Sequence, residues 1–321
     1  MSCIILVAAT LRVNRRTLQK IQCKAAGSFW VFLVLSGCFI RQFEFSATAT
    51  VISMKNKRSV LDCLTIPAFD DNYFWLLSDG QDAVVVDPGA AAPVEACLSE
   101  HGLRLSAILL THHHRDHVGG VAELLNGRDI PVFGPQHEAI AHITHRLEGG
   151  DRVELSAPAL SLAVLDVPGH TSGHIAYFMA GQTPRVFCGD TMFACGCGRL
   201  FEGTPSQMLS SLDTLSSLPD ETRVHCAHEY TLSNIRFARA ADPDNLDLEA
   251  WEVEAQRLRG QGTPTVPTTL GHEKRVNPFL RSAVPQLQAS LQQALGVAAS
   301  AVSGDRLETF TVLRAWKDRF K

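Results

Sequence analysis

From Leu64 onward, apolar residues come in short runs separated by turn residues, and the hydrophobic period switches along the chain. Tyr73 to Leu77, Ala83 to Val86, Leu105 to Leu110, Pro131 to Phe133, Leu160 to Val167, His174 to Met179, Arg185 to Cys188 and Arg223 to Cys226 read as buried strands, too short and too continuous for helices. Asp87-Pro88-Gly89 closes the second of them as a turn. Pro93 to Glu100 and Val121 to Leu125 carry a helical pattern, and so do Thr231 to Ala241, Leu246 to Leu258 and Asp305 to Phe320, with a Pro/Gly-rich interruption at 260–271. Strands dominate the first part and helices the last. The pattern predicts an α+β chain: two packed sheets with helices outside over residues 54–230, then a helical region over 231–321.

Composition narrows the class without naming a chemistry. At 321 residues, with 45% apolar and 19% charged positions, the chain is that of a globular protein with a substantial core. A formal charge of -4 provides no basic field, so nucleic acid is not an expected partner. None of the nine cysteines forms a Cys-X-X-Cys pair, which points to reduced thiols in the cytoplasm. Residues 1–53 differ from the rest: up to Arg41 they hold basic residues and no acidic one, with an apolar run from Phe29 to Leu35 that is short for a membrane span. Ser46 to Ala49 resembles a small-residue cleavage region of a targeting segment; Met54 offers the alternative that the upstream start is unused. The mature domain is expected to be a monomer without stable membrane association.

The chemistry concentrates at strand ends. Thr111-His112-His113-His114-Arg115-Asp116-His117 crowds imidazoles and a carboxylate directly after an apolar strand. On extended backbone alternate side chains share a face, so His112 and His114 point together and His113 turns away, while Asp116 and His117 lie beyond a bend. Three further strands end in a ligand-type residue beside small neighbours: His170 in Pro168-Gly169-His170-Thr171, Asp190 in Gly189-Asp190-Thr191 and His228 in Ala227-His228-Glu229. Five imidazoles and two carboxylates suit two divalent ions, with His112, His114 and His170 on one, Asp116, His117 and His228 on the other, and Asp190 between them. The donor set favours zinc and also accommodates iron or manganese. Neighbouring ions lower the pKa of a shared water, so hydrolysis by a bound hydroxide is the natural chemistry, with Asp116 and Asp190 orienting it. Cys195-Gly196-Cys197 is not read as a metal pair because the ligand set is complete without it. His137, His142, His145, His174 and His225 lack the strand-end setting and are read as surface, helix or supporting residues.

These motifs resemble the metallo-β-lactamase superfamily, whose members share a four-layer αβ/βα sandwich with metals at one edge. Gly196-Cys197-Gly198-Arg199, His228-Glu229-Tyr230-Thr231, Ile66-Pro67-Ala68-Phe69 and Asn277-Pro278-Phe279-Leu280-Arg281 narrow the resemblance to the glyoxalase II, or hydroxyacylglutathione hydrolase, family. The resemblance implies hydrolysis of S-D-lactoylglutathione and similar 2-hydroxyacyl thioesters, the second step of methylglyoxal detoxification. It also implies that Arg199, Phe201, Tyr230, Arg314 and Lys317 contact glutathione, the last two as a carboxylate clamp at i and i+3 on the final helix. Phe201 departs from the tyrosine of many relatives, which implies one hydrogen bond fewer. Single-iron persulfide dioxygenases, lactonases and β-lactamases share the fold, but the C-terminal helical region speaks against them. A non-catalytic binding module would be expected to have lost ligands, and all seven are present.

Overall fold

The computed structural model describes residues 21–22, 50–51, 61–296 and 305–320. Within the unit formed by the first 59 residues, Ile21–Gln22 pairs antiparallel with Thr50–Val51. The apolar run, the cleavage-like segment and Met54 lie outside the described residues.

The unit from Val60 onward contains two six-stranded sheets. The first runs in the order Asp62–Ala68, Asn72–Ser78, Asp82–Val86, Arg104–Leu109, Val132–Pro135 and His145–Leu147. Its first three strands are antiparallel hairpins, and the last three join in parallel. Parallel neighbours need a crossover, and the helix Ala91–His101 supplies the first. The second sheet runs Thr268–Thr269, Arg223–Cys226, Arg185–Gly189, Ile175–Met179, Ala159–Asp166 and Arg152–Ser156. Its one parallel pair, Arg185–Gly189 with Arg223–Cys226, is bridged by the helix Pro205–Ser216. This helix is not among those the hydrophobic pattern predicts, although its start is legible: Thr204 and Gln207 cap one another reciprocally and Pro205 occupies the first turn.

Alternation along the strands sorts the core into layers. In Asn72–Ser78 every residue is buried; Tyr73, Trp75 and Leu77 face the second sheet with Leu162, Tyr177 and Phe187. Phe74 and Leu76 face the opposite way, onto Val94, Leu98, Val121 and Leu124 of the outer helices. On the far side of the second sheet lie Leu212 and Leu215, and the helical region adds Phe237, Phe279, Phe310 and Leu313. Helix, sheet, sheet, helix is therefore the layer order.

The sheets are tied at one edge. Tyr73 N–H donates to Ala227 O (2.7 Å), Asn72 bridges to His228, and Ile175 N–H donates to Thr111 O (3.0 Å). Every strand that carries a candidate ligand at its C-terminal end delivers it to this edge.

Candidate metal centre

Around His114 Nδ1 lie His112 Nε2 at 3.1 Å and His170 Nε2 at 3.0 Å. His170 Nε2 is in turn 3.3 Å from Asp190 Oδ2. The second group continues from the other oxygen of the same carboxylate: Asp190 Oδ1 stands 3.5 Å from His117 Nε2 and 3.3 Å from His228 Nε2. Asp116 Oδ2 completes it at 3.4 Å from each of those nitrogens. Ligand bonds of about 2.0–2.1 Å place neighbouring donors of a tetrahedron about 3.3 Å apart, so all seven separations have the spacing of donors around two ions. His117 Nε2 and Asp190 Oδ1 are buried and have no hydrogen-bond partner, which is the state of atoms waiting for a ligand.

The far side of four of the five rings is held. His117 Nδ1 is 3.1 Å from Asp87 Oδ2, His228 Nδ1 is 2.8 Å from Asp71 Oδ1, and His170 Nδ1 is 2.9 Å from the Arg199 carbonyl. These acceptors place the proton on Nδ1 and leave Nε2 bare for an ion. The Thr111 hydroxyl donates to Asp87 Oδ2 and so presents a lone pair to His112 Nδ1, 3.0 Å away. Asn72 Nδ2 donates to Asp116 Oδ2 (3.0 Å), and His174, stacked on His112, accepts the Asp190 amide on Nε2.

Asp87, His112 and His117 also lie close enough to be grouped. Asp87 nevertheless spends Oδ1 on Thr111 N–H and Oδ2 on the Thr111 hydroxyl and His117, so it orients the others. Its sequence signal was an ordinary turn. Asp71 and Asn72 follow the family-like stretch Ile66-Pro67-Ala68-Phe69, but nothing local marks these roles, because their partners are more than 40 residues away.

Electrostatics give the same picture. Burial opposes the charged form of His117 and His228, yet Asp190 and Asp116, with Asp87 or Asp71 behind, outweigh it and push the pair up to about 10 and about 11. His112 is driven well below the ordinary range by burial and four neighbouring imidazoles. Burial also works against ionisation of Asp116 and Asp190, but His117 and His228 hold both far below the usual carboxylate range. The carboxylates thus demand positive charge. Divalent cations satisfy that demand while the rings stay neutral, the form in which imidazole ligates. The clusters fit a dinuclear metal site.

The residues expected to hold substrate are placed unevenly. Phe201 is 62% exposed, its ring edge-on to His114 and His170 at the mouth of the site. Tyr230 stacks flat on His228 at 4.7 Å. Arg199 is exposed, with Nε 4.0 Å from Asp318. Lys317 Nζ reaches Ser233 O (3.2 Å). Arg314 differs from the expectation of a free clamp: it is 4% exposed and donates to the Cys197 carbonyl (2.8 Å) and Asp318 (3.0 Å). Its helix packs against the hairpin Met192–Phe193/Gly196–Cys197, whose carbonyls need donors. Gly198 next to it lets the chain pass close to the metal-site loops, since a Cβ there would stand 2.0 Å from Asp190 O.

The family model of the metallo-beta-lactamase superfamily matches residues 68–228. Two solved structures share the fold with a TM-score of 0.53: the BLEG-1 B3 metallo-beta-lactamase (24% identical, covering 68% of this chain and 99% of that one) and ETHE1 from Myxococcus xanthus (25%, covering 77% and 100%). Residues 229–320 match the model described as hydroxyacylglutathione hydrolase C-terminus. Hydroxyacylglutathione hydrolase of Cupriavidus metallidurans is 56% identical over 265 residues, which is 80% of this chain and 98% of that protein. That of Nitrosomonas eutropha is 48% identical over 262 residues, 82% of this chain and all of the relative. The chain belongs to the hydroxyacylglutathione hydrolase family of the metallo-beta-lactamase superfamily.

Proposed function

We propose that this enzyme hydrolyses S-(2-hydroxyacyl)glutathione thioesters, chiefly S-D-lactoylglutathione, to glutathione and the hydroxy acid, as the second step of methylglyoxal detoxification in the cytoplasm. The observation that carries it is the seven-donor cage with the cations Arg199 and Lys317 on the elements beside it. Residues 54–230 supply the cage together with Arg199, Phe201 and Tyr230, and the helical substrate-binding domain 231–321 completes the grip, working as a monomer without stable membrane association. His112, His114 and His170 would hold one ion, Asp116, His117 and His228 the other, and Asp190 would join them; the nitrogen-rich set suits zinc, with iron or manganese as substitutes. Such ions, when bound, polarise a carbonyl and make water nucleophilic at neutral pH. The Asp116 carboxylate, steadied by Asn72 on Oδ2, and the Asp190 carboxylate are the groups that orient the attacking water. Tyr230 and Phe201 wall the cleft, Arg199 and Lys317 offer cations to the glutathione carboxylates, and Arg314 presents the 197–198 turn from behind. Purified protein should turn over S-D-lactoylglutathione, lose activity to a chelator, and regain it with zinc. Retention of activity after both ions are stripped would refute the reading.

Two further outcomes are expected. Burial, then the neighbouring Arg314 and Arg236, push Lys317 down to about 8. The free enzyme therefore loses this cation as pH rises through 8, and KM should climb above that pH while kcat changes less; Lys317→Arg, charged throughout, should flatten the rise. An identical rise in the arginine variant would exclude Lys317 as its source. Phe201→Tyr restores a hydroxyl at the cleft mouth, and a gained hydrogen bond lowers KM by roughly 2- to 10-fold. Steady-state kinetics at constant pH check this.

A further inference from the structure

His113 sits in the middle of the histidine-rich run, belongs to neither donor cluster, and points away from both. Its ring is not idle. Nδ1 lies 2.9 Å from Glu138 Oε2, and Nε2 lies 3.3 Å from Glu202 Oε1. Each carboxylate then uses its other oxygen on one and the same loop. Glu138 Oε1 accepts the Thr171 hydroxyl and the Gly173 amide (3.2 Å). Glu202 Oε2 accepts the Ser172 amide (2.8 Å) and the Ser172 hydroxyl (3.0 Å). That loop carries His170 and comes from the second sheet, whereas His112 and His114 come from the first.

The fit is tight on the buried side. The Glu138 side chain is 2% exposed, and a Cβ at Gly173 would meet Glu138 Cγ at 2.6 Å. The three ligands of the first group therefore sit on two loops from different sheets, joined through one imidazole and two carboxylates. The second group is steadied by other partners: Asp87 behind His117, Asp71 behind His228 and Asn72 on Asp116.

We propose that His113, Glu138 and Glu202 form a positioning bracket that clamps the His170 loop to the His112–His114 loop and so sets the affinity of the first ion site, leaving the second largely untouched. The proposal rests on the two-ion reading of the centre. Outer-shell partners that orient metal ligands typically account for 10- to 100-fold in ion affinity, because a ligand loop free to drift must be ordered again by the ion. Asymmetry between the two sites is the signature of the bracket; a merely structural histidine would weaken both or neither.

The test is a zinc competition titration of purified full-length protein against a chelator, with ions per chain counted by metal analysis. Wild type should hold two ions. His113→Ala should release one of them at roughly 10- to 100-fold lower chelator concentration and keep the other within a few-fold of wild type. His113→Asn retains a donor near the Nδ1 position for Glu138 and should fall between the two. Glu202→Gln, a milder surface change, should shift the same ion by a smaller factor, so the conclusion survives poor folding of the alanine variant. Two wild-type affinities in both His113→Ala and Glu202→Gln would overturn the bracket, and so would equal loss of both ions. A wild-type protein that binds no ions would overturn the two-ion reading itself.

Discussion

Asp190→Asn is expected to lower kcat/KM by at least about 10³-fold, with zinc content falling below two ions per chain while the fold is kept. The carboxylate lies between the two groups, Oδ2 toward His170 and Oδ1 toward His117 and His228. An asparagine of the same shape keeps one oxygen but loses the charge, and its amide nitrogen cannot ligate. Lewis-acid stabilisation by bound ions is worth several kcal/mol, and about 4 kcal/mol corresponds to three orders of magnitude in rate. Kinetics and metal analysis on one sample check the prediction together. A variant with two ions and near-normal turnover would remove Asp190 from the centre and leave the proposed chemistry without its link.

The largest effect on stability is expected at Glu273. This carboxylate is fully buried and accepts Cys195 N–H (2.8 Å), the Thr268 hydroxyl (2.7 Å) and Asn277 Nδ2 (3.1 Å). Burial outweighs those three donors and pushes its pKa from 4.5 up to about 7. A folded-state value above the ordinary one means the group contributes most when protonated, and this contribution disappears as pH rises from about 4.5 through about 7. The cost of holding the charge above neutral pH is on the order of 3 kcal/mol. Glu273→Gln mimics the protonated form: its oxygen still accepts from Cys195 and Asn277, and its amide faces the Thr268 hydroxyl. The variant should melt close to wild type near pH 4.5 and several degrees higher at pH 8. Thermal melts across that range decide it, and parallel curves for the two proteins would show that Glu273 does not titrate there. Glu273→Ala, by contrast, orphans three buried donors and should destabilise at every pH.

The strand pattern in Asn72–Ser78 is legible because a buried strand writes its burial into consecutive residues. Which face meets the second sheet is not, since Tyr73 and Phe74 are equally apolar. The seven donors are legible for a similar reason: four crowd into one run after an apolar strand, and His170, Asp190 and His228 each follow another apolar strand beside glycine or alanine. The helix Pro205–Ser216 was also within reach through its cap at Thr204.

Arg314 shows the opposite case. Its spacing to Lys317 predicts a shared exposed face, yet packing of the helix Arg306–Arg319 on the 192–197 hairpin buries it against carbonyls more than 100 residues earlier. Asp71, Asp87, Glu138 and Glu273 look like ordinary acidic residues in the sequence, and each becomes an orienting group through a partner that only chain closure brings near. The chain by itself therefore determined which segments are strands and which residues can bind ions, because both follow from side-chain chemistry over a few neighbouring positions. The tertiary structure alone decided which nitrogen of each imidazole is free, which carboxylate stands behind each ring and which cation is spent on backbone. Those choices depend on hydrogen-bond partners from distant parts of the chain, and no local pattern records them.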